Sequence, residues 1–350
     1  MVYINGRFLC NRIDGISRFS LQICKQLKRQ QFQFTILIPE WLDYKNDEEF
    51  KIHRSGKLKS HLWEQIDLRR FLLSNGSPLL INFSGLGLVL YKNQIITIHD
   101  LSFLVEPKWF SVSYRLFYRL MTPLIAKEAK AILTVSNFSK SEIIKFLKIN
   151  EEKIYVIYNA VTGVHDADNS THSTSDLPDK FILGVSSLDP RKNHERLIKA
   201  FDHQSLADYQ LLLVGKTASN FNFNLSEISN SRIHFLGHVT DLTLHQLYKE
   251  ATIFIYPSLY EGFGIPPLEA MARNCPVVAS KIPSIEEVCQ DTVYYVNPQN
   301  IEDIRSGMLH LIQDDELREQ LRTKGIARAK DFNWSDSASR VIKIINSLLK

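Results

Sequence analysis

Residues 252–272 read TIFIYPSLYEGFGIPPLEAMA, and this stretch decides the fold. TIFIYPS is an apolar, β-branched run that stops at Pro257, the pattern of a buried strand. YEGFGIPP is a tight turn. Gly262 and Gly264 let backbone approach a ligand closely, and the prolines suit the first turn of a helix, which LEAMA continues. A strand, a glycine turn and a helix N-terminus make an anion site, because N–H groups and the helix dipole point at whatever lies there. Two carboxylates flank the junction. Glu261 precedes the turn at the strand's C-terminal mouth, where ligands bind in open α/β sheets. Glu269 lies one turn inside the helix, in reach of hydroxyls beyond a bound phosphate. The structural alternative is a turn that serves the fold alone, with a glutamate complementing the dipole.

Outward from this stretch, short apolar strands alternate with amphipathic helices. VYIN (2–5), FTILI (34–38), LLIN (79–82), QIITI (94–98), AILTV (131–135) and KIYVI (153–157) read as strands of a first half. Helical patterns lie between them, such as ISRFSLQICKQLKRQ from Ile16 and YRLFYRLMTPLIAKEAK from Tyr114. HDADNSTHSTSDLPD (165–179) is polar, rich in Asp, Ser and Thr, and reads as a linker. The alternation then resumes with FILGVSS, QLLLVG, RIHFLG, TIFIYPS, CPVVAS and TVYYV. Strands alternating with helices imply right-handed parallel βαβ units. The expectation is two Rossmann-like domains facing across a cleft: residues 1–164 and 180–333, joined by the 165–179 linker. The tail from Asn300 is helical, and Ser335 or Asp336 is a candidate cap for its last helix, 334–350.

Composition sets bounds. A length of 350 residues suits two domains, and 44% hydrophobic with 23% charged residues is a soluble, globular balance. No apolar run approaches the ~18 residues of a membrane span, and MVYINGRFLC lacks the basic start and apolar core of a signal peptide. Cys10, Cys24, Cys275 and Cys289 are widely spaced, which favours reduced, buried thiols and a cytoplasmic setting over a disulfide or zinc framework. Residues 1–160 hold 23 Lys and Arg against 14 Asp and Glu, whereas 161–350 hold 19 against 24. The basic half suggests an anionic partner such as a membrane surface or a lipid-linked diphosphate, or else is an ordinary solvated face. No signature of a nucleic-acid module accompanies it, so nucleic acid is not expected.

SSLDPRKNHERLIKAF (186–201) follows the first strand of the second half. Arg191 and Lys192 are adjacent cations on a loop entering a helix, with Asn193 as a candidate N-cap. Two cations beside a helix N-terminus suit a diphosphate, Arg as a planar fork and Lys as a point charge. Asp166-Ala167-Asp168 could in principle hold a divalent ion, but it falls in the polar linker and reads as solvated loop. No metal ligand and no cofactor is expected. GxGxxG does not follow an early strand, which disfavours a dehydrogenase.

The whole of 252–272 resembles the Glu-x7-Glu signature of retaining glycosyltransferases of family 4, PSLYEGFGxPxLEAMA, matched here at nearly every position. The resemblance extends along the chain. PRKN at 190–193, the strand-end His99 in ITIHDLSF, the glycine turn at Gly15, TVSNFS at 134–139, FLGHV at 235–239 and Phe332-Asn333-Trp334 are similar to family segments. It implies the GT-B fold, with a last helix crossing back to the first domain. A nucleotide-diphosphate sugar is the implied donor, bound without metal. Glu269 would hold the ribose, and Glu261 and His99 would position the transferred sugar. Arg191, Lys192 and the backbone of Gly262, Phe263, Gly264 and Ile265 would hold the diphosphate, with Lys216 adding charge. Val239 would sit at the base, and Gly15 near the donor phosphate or acceptor. Ser136 would cap a helix or line an acceptor site, the cap being favoured. Asn274 stands where the family usually has Gly, and Asn is the next-best left-handed cap.

The implied reaction is retaining transfer of a hexose to a glycan or lipid-linked glycan, by front-face attack assisted by the leaving phosphate. Double displacement with Glu261 as nucleophile is set aside. The wording of YEGFGIPPLEAMA and LVGK resembles mannosyltransferases of bacterial surface-polysaccharide synthesis, which use GDP-mannose. Rhamnose from dTDP-rhamnose is the runner-up. More remote alternatives are a UDP-sugar transferase, a nucleotide-sugar epimerase of the same fold and a non-catalytic binding subunit. The expected setting is cytoplasmic, with peripheral attachment to the inner membrane face.

Overall fold

A computed structural model describes residues 1–10, 15–44, 49–162, 177–215 and 230–349. The chain divides into two compact units, Met1–Asn159 with Asn333–Lys350, and Ala160–Phe332. The DxD of 166–168 and Lys216 lie outside the described residues.

The first unit is built on β1 (Val2–Asn5), β2 (Thr35–Ile38), β3 (Ile52–Arg54), β4 (Leu79–Asn82), β5 (Gln94–Thr97), β6 (Ala131–Thr134) and β7 (Ile154–Val156). They form one parallel sheet in the order β3-β2-β1-β4-β5-β6-β7. Strands β1, β2, β4, β5 and β6 are buried at every residue, which is why they read as continuous apolar runs. β3 is a short, partly exposed edge strand and carries no such signal, so the sequence reading missed it. The helices are α1 (Gly15–Arg29), α2 (Ser60–Leu62), α3 (Arg69–Ser74), α4 (Ser102–Val105), α5 (Val112–Glu128) and α6 (Asn137–Leu147). Between α2 and α3 the chain widens into a π-helical segment, Trp63–Leu68. Ser136 caps α6 by accepting from the Ser139 N–H, the favoured sequence reading.

The second unit holds β8 (Phe181–Val185), β9 (Gln210–Val214), β10 (Ile233–Gly237), β11 (Ile253–Tyr256), β12 (Val277–Ser280) and β13 (Tyr294–Val296). They too are parallel, in the order β10-β9-β8-β11-β12-β13. Around them lie α7 (His194–Phe201), α8 (Asp241–Glu250), α9 (Ile265–Ala272), α10 (Pro283–Cys289), α11 (Ile301–Gln313) and α12 (Asp315–Ala329). Ile182, Leu211, Leu213, Ile253, Ile255 and Val278 of the sheet pack with Leu197 and Phe201 of α7 and Ile304, Met308 and Leu311 of α11. Each such side chain contributes roughly 1.5–3 kcal/mol of apolar burial. α9 closes as the sequence suggested. Asn274 adopts φ +61°, and the N–H groups of Cys275 and Asn274 reach the carbonyls of Ala270 and Met271.

The last helix, α13 (Trp334–Leu349), belongs to the first unit and packs along α1. Ser337 Oγ donates to the Tyr158 carbonyl at 2.7 Å, Gln30 Nε2 donates to the Ser335 carbonyl at 2.9 Å, and Trp334 meets Phe19 edge-on. Its N-terminus is held by Asn333, whose Oδ1 accepts from the Asp336 N–H at 2.8 Å. Ser335 and Asp336, the caps expected from sequence, instead lie in the first turn. All four cysteines are free; Cys24, Cys275 and Cys289 are buried and Cys10 is half-buried.

In both sheets the strand order reverses once near the middle, between β1 and β4 and between β8 and β11. Such switch points open at the C-terminal strand ends and are where doubly wound sheets bind ligands.

Candidate functional site

The segments leaving β8 and β11 flank the second unit's switch point, and they carry the sequence-predicted residues. After β8 the chain forms a 3-10 turn, Pro190–Lys192, opened by Asp189, whose carboxylate accepts from the Arg191 N–H. This turn sends Lys192 inward. Its ammonium donates to Glu261 Oε1 at 2.5 Å and to Tyr256 Oη at 3.1 Å, and Tyr256 Oη donates to the same carboxylate oxygen at 2.7 Å. Lys192, Tyr256 and Glu261 are each at most 8% exposed. Lys192 also lies over the Tyr256 ring, 5.5 Å from its centre.

Burial alone would raise the Glu261 pKa. The charges of Lys192 and Arg191, with hydrogen bonds from Lys192 and Tyr256, outweigh it and hold the carboxyl below its usual range. Burial first, and then the Glu261 charge, push the Tyr256 phenol well above its usual value. The result is an ion pair with a neutral hydroxyl wedged against it. Arg191 is the more exposed cation, with Nε 3.3 Å from Asp189 Oδ2. The sequence suggested two cations awaiting a diphosphate; the structure pairs each of them with a carboxylate.

Asn193 starts α7 but does not cap it as expected. Held at φ +63°, its Nδ2 donates to the carbonyls of Pro257 at 2.9 Å and Pro298 at 2.6 Å, and its Oδ1 accepts from Arg196. It thereby ties the β8 exit to the loop after β11. A Leu259 N–H to Arg191 carbonyl bond of 2.7 Å adds a second tie. His194 is buried, its Nε2 within 2.9 Å of Ser186 Oγ and 3.2 Å of the Ser187 carbonyl. Burial pulls its pKa down to about 4. The sequence reading passed over both Tyr256 and His194. Tyr256 closes an apolar strand and reads as core, and His194 carries no local signal.

Gly264 precedes α9 with φ +101°, and a Cβ there would lie 2.3 Å from Ile285 Cδ1. Only glycine fits. Pro266 and Pro267 have no N–H, so the open donors at this helix start are those of Gly264 and Ile265 rather than a full first turn. Phe263 is buried, with its ring edge-on against Phe332. Glu269 is 7% exposed and accepts from Tyr248 Oη at 3.3 Å. Burial and the Glu269 charge raise the Tyr248 pKa. Val239 is half-buried in the loop between β10 and α8.

In the first unit, His99 lies just beyond β5. Its Nε2–H donates to the Phe83 carbonyl at 3.0 Å, and its ring meets Phe19 edge-on. Gly15 is the exposed first residue of α1.

Both halves of the chain match known protein families. Residues 13–162 match the family described as Glycosyltransferase Family 4, and residues 166–328 match Glycosyl transferases group 1. The O-antigen chain mannosyltransferase RfbU of Salmonella typhimurium is 31% identical over 70% of this chain and 68% of its own. The chain belongs to the family 4 glycosyltransferases. The O-antigen chain mannosyltransferase B of Escherichia coli is 28% identical over 94% of this chain and 95% of its own. Among solved structures, the glycosyltransferase WaaG, involved in lipopolysaccharide biosynthesis, superposes with a TM-score of 0.74 at 16% identity, covering 99% of each chain. Sucrose-phosphate synthase from Thermosynechococcus elongatus gives 0.77 at 18% identity, covering 99% and 98%. These likenesses establish a GT-B fold for this glycosyltransferase.

Proposed function

We propose that the enzyme transfers mannose from GDP-mannose, with retention of configuration, to a glycan or lipid-linked glycan during bacterial surface-polysaccharide synthesis. The observation that carries this reading is the Lys192–Glu261–Tyr256 constellation beside the α9 N-terminus, at the switch point of a sheet. The mannose assignment draws on the names of two relatives, both O-antigen chain mannosyltransferases.

In this reading, departure of GDP puts negative charge on the β-phosphate. Arg191, Lys192 and the N–H groups of Gly264 and Ile265 are prearranged donors for that charge, an effect typically worth a few kcal/mol. Glu261 keeps Lys192 fixed, so little reorganisation accompanies the reaction. Glu269, steadied by Tyr248, accepts from the ribose hydroxyls. Glu261 and His99 are assigned to the transferred sugar, and Val239 to the base. No divalent metal is needed, because these donors meet the diphosphate directly.

The first unit is assigned to the acceptor, at an anionic membrane surface. No helix among the described residues is long and apolar enough to cross a membrane. α5, however, exposes Val112, Leu116, Leu120 and Leu124, spaced four apart along one stripe, and carries Arg115 and Arg119. An exposed apolar stripe beside cations suits peripheral attachment.

The test is incubation with GDP-mannose and octyl α-mannoside, followed by proton NMR of the product. An α-linked mannose supports the reading. A β-linkage contradicts retention, and turnover with dTDP-rhamnose but not GDP-mannose contradicts the donor.

A further inference from the structure

The switch point of the first sheet holds a second built cluster, outside the residues assigned to the donor and the transferred sugar. Asn5 ends β1 and Asn82 ends β4, and both are fully buried. Asn5 Nδ2 donates to Glu64 Oε1 and to Asn82 Oδ1, each at 2.9 Å. Asn82 Nδ2 passes the chain on to Gln94 Oε1 at 3.1 Å. Glu64 itself is 2% exposed, and its other oxygen pairs with Arg7 Nη1 and lies 3.2 Å from His61 Nδ1. His61 Nδ1 is also 2.8 Å from Arg7 Nη1, and its Nε2 is 3.3 Å from Arg7 Nη2, so the ring lies against the guanidinium. Arg7 and His61 are both partly open to solvent.

The local backbone is bent to this purpose. Glu64 sits in the π-helical segment, a rare form that concentrates at functional sites. Its neighbours are anchored on both sides. Trp63 Nε1 donates to the Ser55 carbonyl at 2.7 Å, and Gln65 bridges the Gly87 carbonyl and the Val89 N–H at 2.9 Å each. The loop so held contains Gly85, where an added Cβ would meet only Glu64 Oε1, at 3.7 Å. Space is thus kept beside the carboxylate.

A buried ion pair is weak evidence for stability, since apolar residues of the same volume often do as well. Its placement at strand C-termini points to recognition instead. Arg7 and Glu64 cancel in charge, so the cluster offers oriented N–H donors without a net positive field. That suits a neutral, polyhydroxylated ligand better than a phosphate. We propose that Arg7 and His61, oriented by Glu64, bind hydroxyl groups of the acceptor's terminal sugar. The inference rests on the glycosyltransferase reading and adds the residues that select the acceptor.

The experiment is saturation-transfer NMR with the methyl α-glycosides of mannose, glucose and N-acetylglucosamine, on wild type, Arg7→Lys and His61→Asn. GDP-mannose binding is followed calorimetrically in parallel. Wild type should show saturation of ring protons for at least one glycoside, with affinity little changed by salt. Both variants should bind it at least ~10-fold more weakly, as expected on losing a charge-assisted hydrogen bond, at unchanged GDP-mannose affinity and melting temperature. Wild-type glycoside affinity in both folded variants, or no glycoside contact in wild type, overturns the proposal. Failure of the donor reading would appear separately, as loss of GDP-mannose binding by wild type.

Discussion

Lys192 and Arg191 are neighbours in sequence with different surroundings, and the difference is measurable. Alanine at either should lower kcat at least ~10²-fold, by loss of leaving-group stabilisation. Lys192→Ala should also leave Glu261 buried without its hydrogen-bonded counter-ion, at a cost of about 3–5 kcal/mol, so its melting temperature should fall. Arg191→Ala should melt near wild type. Near-normal rates in both variants would place the diphosphate elsewhere. The two glutamates should separate in the same assay. Glu269→Gln should raise the donor KM, whereas Glu261→Gln, beside the reacting sugar in this account, should mainly lower kcat. Identical kinetic profiles would remove that division.

His194 supplies a pH prediction. Burial holds it neutral in the fold, with a pKa down to about 4, whereas the unfolded chain protonates it near 6.5. The unfolded state therefore binds more protons between those values, and stability from this site falls as pH drops through that window. The slope is at most ~1.4 kcal/mol per pH unit. Urea midpoints measured from pH 7 to 4 should decline, and His194→Gln should flatten the decline. An unchanged slope in that variant would mean His194 is not the group responsible.

Among elements, α9 and its entry turn were legible in the sequence because glycine, proline and an apolar run each have a narrow structural meaning. Gly264→Ala should be poorly tolerated, since φ +101° is strained for any side chain and the new Cβ meets Ile285. We expect a loss of about 1–3 kcal/mol and a raised donor KM; a melting temperature equal to wild type would contradict this. The segment from Ile52 to Ser74 was not legible. β3 is too short to show alternation, and the π-helical turn shifts Glu64 and Gln65 off the 3.6-residue period that marks a helix. Asn193 shows another limit of local reading. Its position before α7 was legible, but the carbonyls it holds, at Pro257 and Pro298, are far away in sequence.

For the whole molecule, alternation of strands and helices carried the two-sheet architecture, and the Phe332-Asn333-Trp334 segment carried the helix that returns to the first unit. That helix buries Val341 and Ile345 completely. Trp334→Ala should cost about 3–5 kcal/mol, read as a fall in the denaturation midpoint. Within the basic half, α5 carries Arg115 and Arg119 beside its exposed apolar stripe. Co-sedimentation with anionic vesicles should exceed that with neutral ones and weaken in high salt, each cation near the leaflet contributing roughly 1 kcal/mol. Equal, negligible binding to both would leave a soluble acceptor as the better reading. The central claim is that the second unit binds a guanosine diphosphate sugar through Lys192, Arg191 and Glu269 without metal. Calorimetric titration of the full chain in EDTA with GDP-mannose, dTDP-rhamnose and UDP-glucose tests it most directly. The account predicts saturable binding of GDP-mannose alone, weakened by Glu269→Gln; tighter binding of another donor, or binding that appears only with added Mg²⁺, would contradict it.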